Sequence, residues 1–129
     1  MSDAISIALV GGGRTGSPLL RELLKHDYIR VLGVADLNAE SPGMVLAGEH
    51  KIPRFSDPLE MVKSVGAVDL LIDASGDHDF KIAVKEYYEA TDNRHTIILH
   101  DLVVRLAVSL ATGSSSLEPN WHPNDHGIG

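Results

Sequence analysis

One segment carries the strongest structural signal in this chain: Ile5-Ser6-Ile7-Ala8-Leu9-Val10-Gly11-Gly12-Gly13-Arg14-Thr15-Gly16. It is an apolar run that leads directly into the pattern G-x-G-x-x-G, and a stretch with helical periodicity follows it. Gly11 permits a tight turn out of the strand, Gly13 lets a pyrophosphate approach the backbone, and Gly16 lets the next helix lie close to the sheet. The segment therefore predicts a strand, a phosphate-binding turn and a helix, in that order.

Asp36 follows the last of these glycines by twenty residues, at the end of a second apolar run, 29–35. A carboxylate there accepts hydrogen bonds from the hydroxyls of an adenosine ribose and repels a 2′-phosphate. Leu37-Asn38 supplies no arginine to offset that charge, so the pattern favours NAD(H) over NADP(H). The whole constellation predicts a Rossmann-type dinucleotide-binding unit. The competing interpretation is a glycine turn that binds nothing, with Asp36 as an ordinary turn residue.

The composition predicts a single soluble globular domain. The 129 residues are 43% hydrophobic, and no apolar run approaches the length of about 20 residues that a membrane span needs. Met1-Ser2-Asp3-Ala4 has no basic region, so we expect no signal peptide. The absence of cysteine excludes disulfides, thiolate catalysis and Cys-ligated zinc, and it favours a cytoplasmic location. The net charge of −7 argues against a nucleic-acid partner.

Apolar runs alternate with helical patterns over residues 1–112, and this alternation predicts an α/β domain with a doubly wound parallel sheet. Right-handed crossovers give about five strands the order 3-2-1-4-5. The predicted strands are 5–10, 29–35, 52–55, 69–74 and 96–100. Residues 113–129 lack periodicity and predict a flexible tail or the beginning of a linker.

Several motifs resemble a known family of oxidoreductases. They are Gly11–Gly16, Val34-Ala35-Asp36, Ile52-Pro53-Arg54-Phe55-Ser56-Asp57 and Val68-Asp69-Leu70-Leu71-Ile72-Asp73-Ala74-Ser75-Gly76. Their order is similar to that in the amino-terminal NAD-binding domains of Gfo/Idh/MocA oxidoreductases, and to the nucleotide domains of homoserine and aspartate dehydrogenases. The resemblance covers roughly residues 5–108 and implies a Rossmann domain that binds NAD.

The chain departs from that family in two respects. Its fifth strand ends in His100-Asp101-Leu102, where those enzymes usually have Glu-Lys-Pro, so the catalytic lysine is not carried over. Those enzymes also hold substrate in a second domain, which we do not expect in a chain of this length. The segment Ala35–Met44 resembles stand-alone or amino-terminal Rossmann modules of bacterial signalling proteins. That resemblance implies a signalling partner.

Further candidate cofactor contacts lie where strands 1 and 4 flank the change in strand order, because doubly wound sheets bind ligands there. Arg14 either contacts the pyrophosphate or is simply solvated, and Thr15 either binds the same phosphates or caps the first helix. Ser75 and Gly76 follow strand 4. The candidate cofactor-binding residues are thus Gly11, Gly13, Arg14, Thr15, Gly16, Asp36, Ser75 and Gly76.

Catalytic residues stay unknown at this stage, although three candidates lie near the same edge. His78 and His100 could carry a proton, because imidazole titrates near neutral pH, and Asp101 is beside His100. The competing interpretation makes Asp77 a helix N-cap, with His78 in the first helical turn. We predict no metal site. His122 and His126 have a spacing that binds metals on a helix, but Pro123 disfavours a helix there.

These observations leave three functions open. The first is an NAD(H)-binding module without turnover of its own, either regulatory or a cofactor-binding subunit. The second is a small NAD-dependent oxidoreductase whose substrate pocket forms at a subunit interface, with residues 102–112 docked on a second copy. The third is binding of another adenine nucleotide, such as the adenosine part of coenzyme A. Whether the protein is an enzyme is not decided by its sequence.

Overall fold

The computed structural model describes residues 3–121. Strands and helices alternate along the chain as predicted. The elements are β1 (Ile5–Val10), α1 (Gly16–Leu23), β2 (Ile29–Ala35), α2 (Pro42–Glu49), β3 (Arg54–Phe55), α3 (Pro58–Val65), β4 (Leu70–Asp73), α4 (His78–Ala90), β5 (Ile97–Leu99) and α5 (Asp101–Ala111).

The five strands form one parallel sheet in the order β3-β2-β1-β4-β5, which confirms the predicted topology. β1 is central and pairs with β2 on one side and β4 on the other. The connection from β2 to β3 runs outward on one side, and that from β4 to β5 runs outward on the other. A crevice therefore opens beyond the carboxyl ends of β1 and β4, where the winding direction changes.

Two apolar cores cover the two faces of this sheet. Ile7 and Leu9 of β1 pack with residues of α1, α2 and α5, such as Leu20. Ala8 and Val10 point to the opposite face and pack with residues of α3 and α4. The alternation along β1 follows from the two-residue period of a strand, and a strand buried on both faces is apolar throughout.

Local chemistry accounts for several of the element boundaries. Asp57 caps α3 by accepting a hydrogen bond from the backbone N–H of Leu59 at 3.0 Å, with Pro58 in the first helical position. Asp77 caps α4, as the sequence indicated. β3 is shorter than the predicted 52–55 because Pro53 has no N–H to contribute; its carbonyl still accepts from Val34 N at 3.0 Å.

The described part of the predicted tail runs back along α5. Ser114 N donates to the carbonyl of Ser109 at 3.0 Å, and Glu118 N donates to the hydroxyl of the same serine at 2.7 Å. The guanidinium of Arg105 donates to the carbonyl of Glu118 at 3.0 Å. These bonds bring Trp121 to the carboxyl edge of the sheet, while the remainder of the predicted tail, including His122 and His126, lies outside the described residues.

Within residues 3–121, no helix is both long enough and apolar enough to cross a membrane.

Candidate functional site: a cleft at the carboxyl edge of the sheet

A cleft of about 360 Å³ lies beyond the carboxyl ends of β1, β2 and β4. A volume of this size is within the range of small-molecule sites, about 300–1,000 Å³. Its wall combines the glycine loop, the end of β2 and the turn after β4. The lining residues are Val10, Gly11, Gly13, Arg14, Thr15, Ala35, Asp36, Leu37, Pro58, Ala74, Ser75, Asp77 and Trp121.

The cleft contains six of the eight residues that the sequence selected as cofactor contacts. Gly16 is behind the cleft, against the turn, and Gly76 lines a smaller pocket that adjoins the cleft at Thr15, Ala74 and Trp121. The tertiary structure thus gathers these candidates around one opening.

The glycine turn depends on two close approaches. Gly11 has a φ of +95°, a backbone conformation that residues with side chains rarely adopt. At Gly16, a Cβ atom would lie 1.8 Å from the carbonyl oxygen of Gly11. The absence of side chains at both positions lets α1 start directly against the turn, at Gly16.

Gly12, between the first two glycines of the motif, makes contacts that the sequence pattern did not predict. Gly12 packs against Gly43 of α2, whose backbone N–H donates to the Gly12 carbonyl at 2.7 Å. A Cβ on Gly43 would lie 2.6 Å from Gly12 Cα, and a Cβ on Gly12 would lie 2.7 Å from Ser41 Oγ. α2 therefore supports the loop from behind. The feature of the sequence that permits this contact is the glycine at position 43.

Gly13 has different surroundings. It is exposed, its φ is not positive, and a Cβ built on it would have no neighbouring atom within 4 Å. The fold itself therefore does not require glycine here. An open approach to the backbone at this point is what a phosphate-binding loop needs.

The Asp36 carboxylate connects the end of β2 to the glycine loop. Its Oδ2 accepts from Gly12 N at 2.8 Å, and its Oδ1 accepts from Asn38 N at 3.0 Å. These bonds hold the half-buried carboxylate in the cleft wall. Because each carboxylate oxygen can accept two hydrogen bonds, both oxygens retain a free lone pair after these contacts.

A chain of hydrogen bonds shapes the turn after β4. Asp73 is buried, and its Oδ1 accepts from both the backbone N–H and the hydroxyl of Ser75, at 3.0 and 2.6 Å. The Ser75 hydroxyl accepts from Asp77 N at 3.1 Å, and Asp77 then caps α4 through Phe80 N at 3.2 Å. Gly76 completes the turn with a φ of +70°. Sequence reasoning overlooked Asp73, a carboxylate at the end of an apolar strand.

The three candidate catalytic residues do not converge on the cleft. His100 is 8% exposed, and its Nδ1 lies 3.6 Å from Asp73 Oδ2. His78 is exposed at the start of α4 and does not line the cleft. Asp101 lines the smaller pocket, and its carboxylate pairs with Arg105 at 3.2 Å. Among residues 3–121, no group of three His, Cys, Asp or Glu side chains could hold a metal ion.

Trp121 is the cleft residue that sequence reasoning missed most completely. Its ring lies 4.5 Å from the guanidinium carbon of Arg14, a cation–π contact, and its Nε1 donates to Glu118 Oε2 at 2.9 Å. The residues around Trp121 have no periodicity, so nothing in the sequence pattern places it at the cleft. Arg14 is therefore in contact with an aromatic ring rather than only with solvent.

Comparison with known proteins identifies the same architecture in solved structures. GenD2 from gentamicin A biosynthesis, solved with NAD, is 16% identical, has a TM-score of 0.58, and aligns with 88% of this chain and 32% of its own. The myo-inositol dehydrogenase of Corynebacterium glutamicum is 19% identical, with a TM-score of 0.55 and coverages of 85% and 33%. The WlbA dehydrogenase of Bordetella pertussis, solved with NADH and UDP-GlcNAcA, is 19% identical, with a TM-score of 0.56 and coverages of 88% and 33%.

The chain has a Rossmann fold. At the level of the fold, these neighbours confirm the resemblance to the nucleotide domains of Gfo/Idh/MocA-type oxidoreductases. The chain spans about a third of the length of the solved structures that it matches. No protein-family model and no curated protein matches the sequence.

Proposed function

We propose that this Rossmann domain is an NAD(H)-binding module without turnover of its own, acting in regulation or as a cofactor-binding subunit. The observation that carries the proposal is the cleft. It brings together the glycine loop after β1, Asp36 after β2 and Ser75 after β4, three segments far apart in the sequence. Solved neighbours with this fold include proteins crystallised with NAD or NADH, which supports the same cofactor here.

Asp36 would hold the adenosine ribose. Its bonds to Gly12 N and Asn38 N orient the carboxylate and leave one acceptor site on each oxygen for the two ribose hydroxyls. A 2′-phosphate would meet the negative charge of this carboxylate, and the adjoining Leu37 is apolar. The same repulsion disfavours a phosphorylated ribose such as that of coenzyme A. These features support NAD(H) as the ligand.

The pyrophosphate would lie on the glycine loop. Gly13 leaves open space at the backbone, and Arg14 supplies a positive charge in a chain whose net charge is −7. Thr15 precedes α1, and its side chain makes no capping hydrogen bond within the helix. Its hydroxyl is thus a third group suited to a phosphate, beside the positive end of the helix dipole.

The alternative is an oxidoreductase with a substrate pocket at a subunit interface. One observation favours it: α5 exposes Leu102 and Leu110, at 63% and 74%, on the segment expected to dock a second copy. Against it, His100 is buried beside Asp73, and His78 does not line the cleft. The described residues thus support binding better than proton transfer. A cytoplasmic location and a homo-oligomer or signalling partner stay predictions from the sequence.

Calorimetric titration with NAD⁺, NADH and NADP⁺ tests the proposal. We expect NAD⁺ and NADH to bind and NADP⁺ to bind more weakly. Failure of all three to bind below millimolar concentration would refute the cofactor assignment. Steady consumption of NADH with a panel of oxo acids or aldehydes would instead favour the oxidoreductase.

The ribose contact has its own test in Asp36→Asn. The amide keeps one oxygen as an acceptor for the backbone but removes the negative charge, so we expect the preference for NAD⁺ over NADP⁺ to shrink by about tenfold. The matched control is Asp27→Asn, which makes the same charge change at an exposed site between α1 and β2. An unchanged preference in Asp36→Asn, with thermal unfolding like that of the wild type, would refute the ribose role.

A further inference from the structure

The chain's single tryptophan, Trp121, stands at the junction of the cleft and the smaller pocket beside it. Thr15 and Ala74 line both spaces with it. The smaller pocket is otherwise formed by the end of β4 and the start of α5, through Asp73 and Asp101 among others. Trp121 is therefore on the β4 side of the central strand, whereas Asp36 follows β2 on the other side.

Side-chain and backbone contacts hold the indole at this position. One is the cation–π contact with Arg14 in the glycine loop, and another is the hydrogen bond from Nε1 to Glu118 Oε2. Glu118 is in turn held by the Ser109 hydroxyl and by Arg105, which also pairs with Asp101 at 3.2 Å. The indole is thus fixed to α5 on one side and to the glycine loop on the other.

We propose that Trp121 forms an aromatic wall for the nicotinamide ring of the bound dinucleotide. This inference rests on the proposed function, because it assigns one subsite of the same cleft. With the adenosine ribose at Asp36 and the pyrophosphate at the glycine loop, the rest of the dinucleotide extends toward the β4 side. Trp121 is 42% exposed there, so it retains free surface after its contact with Arg14. A flat aromatic ligand gains binding energy by stacking on such a surface.

The proposal predicts a specific pattern of affinities. ADP-ribose carries the adenosine, the pyrophosphate and the second ribose of NAD⁺ but lacks the nicotinamide ring. Trp121→Ala also removes the contact with Arg14, which would face the pyrophosphate of both ligands, so the test is the difference between them: the variant weakens NAD⁺ binding more than ADP-ribose binding. The expected loss for NAD⁺ is about tenfold, as for removal of one aromatic stacking partner. Trp121→Phe keeps an aromatic face and retains most of the affinity.

Isothermal titration of NAD⁺ and ADP-ribose into the full chain and these variants is the test. Tyr28→Ala, which removes another exposed aromatic ring at the amino-terminal end of β2, is the matched control and leaves both affinities unchanged. Thermal unfolding monitored by circular dichroism checks that each variant is folded.

If the wild type binds both ligands, three results would overturn the role of Trp121 and leave the proposed function intact. They are an unchanged NAD⁺ affinity in Trp121→Ala, an equal loss for both ligands, and a gain in affinity. A gain would mean that the indole obstructs the cleft. If the wild type binds neither NAD⁺ nor ADP-ribose, the proposed function and this inference both fail.

Discussion

Alanine substitutions at Gly16 and Gly13 distinguish a glycine that the fold requires from a glycine that the proposed phosphate site requires. The first is Gly16. The added Cβ would lie 1.8 Å from the Gly11 carbonyl oxygen and 2.8 Å from its carbon, whereas real Cβ atoms essentially never come within 3.0 Å of a neighbour. Both atoms belong to the backbone of Gly11, whose φ is +95°, so no side chain can rotate away to make room. α1 would have to lift from the turn by about 1.2 Å, in a region of close packing.

The cost follows from the size of this displacement. Overpacking by added carbon atoms typically lowers the stability of a protein by about 1–3 kcal/mol. Because this overlap is with backbone atoms, we expect a loss of about 3 kcal/mol or more. For a domain of this length, about 3 kcal/mol lowers Tm by roughly 10 °C. We therefore expect Gly16→Ala to melt at least that far below the wild type.

Gly13→Ala is the matched control, because it adds the same methyl group three residues earlier in the same loop. Its Cβ meets nothing within 4 Å and its φ is not positive, so we expect a Tm equal to or slightly above that of the wild type. If the pyrophosphate approaches this backbone, the methyl group lowers NAD⁺ affinity at least tenfold. Circular dichroism melts and calorimetry measure the two effects. A Gly16→Ala protein that melts like the wild type would refute the packing argument, and an unaltered NAD⁺ affinity in Gly13→Ala would refute the phosphate argument.

Two further predictions concern stability. Two hydrogen bonds lower the pKa of Asp69 below its ordinary value of 3.8. The larger effect comes from the backbone N–H of Ser6, and the smaller from the side chain of His95. A lowered pKa in the folded state adds stability that is fully present above the unfolded-state value and is lost as the pH falls through the folded-state value. Urea denaturation should show a steeper loss of stability below about pH 4 in the wild type than in Asp69→Asn, and parallel pH profiles would contradict this. Asp77→Ala removes the cap on α4 and should lower the free energy of unfolding by about 1 kcal/mol in the same assay at neutral pH. Asp77→Asn should retain most of that stability, because asparagine is also a good N-cap. Equal losses of stability in both variants would argue against capping.

Local chemistry was sufficient to indicate the strands and the cap on α4, and the rule of right-handed crossovers then supplied the sheet order. The alternation of apolar runs with helical patterns predicted five parallel strands, and the structure has them in the predicted order. Asp77 is a cap because its side chain reaches the N–H of Phe80, three residues away. Strand formation and helix capping depend on neighbours in the chain, and the sequence pattern therefore contains them.

Part of the candidate site could also be anticipated. The positive φ of Gly11 and the close packing at Gly16 follow from the glycine spacing, and both are present. The internal bonds of Asp36 were not anticipated. The pattern indicated a carboxylate for a ribose, whereas the fold also uses it to hold Gly12 N and Asn38 N. One side chain thus has a structural use that the motif does not reveal.

The position of Trp121 shows where sequence reasoning stops. Its segment has no apolar period, and its contact with Arg14 joins residues at opposite ends of the described chain. The packing of Gly12 on Gly43 and the burial of His100 beside Asp73 are likewise contacts between separate elements. Periodicity and turn chemistry record forces that act within a few residues, so they predict strands, helices and the glycine turn. Which distant side chains meet depends on how the completed elements pack, and that packing places Trp121 in the wall of the cleft.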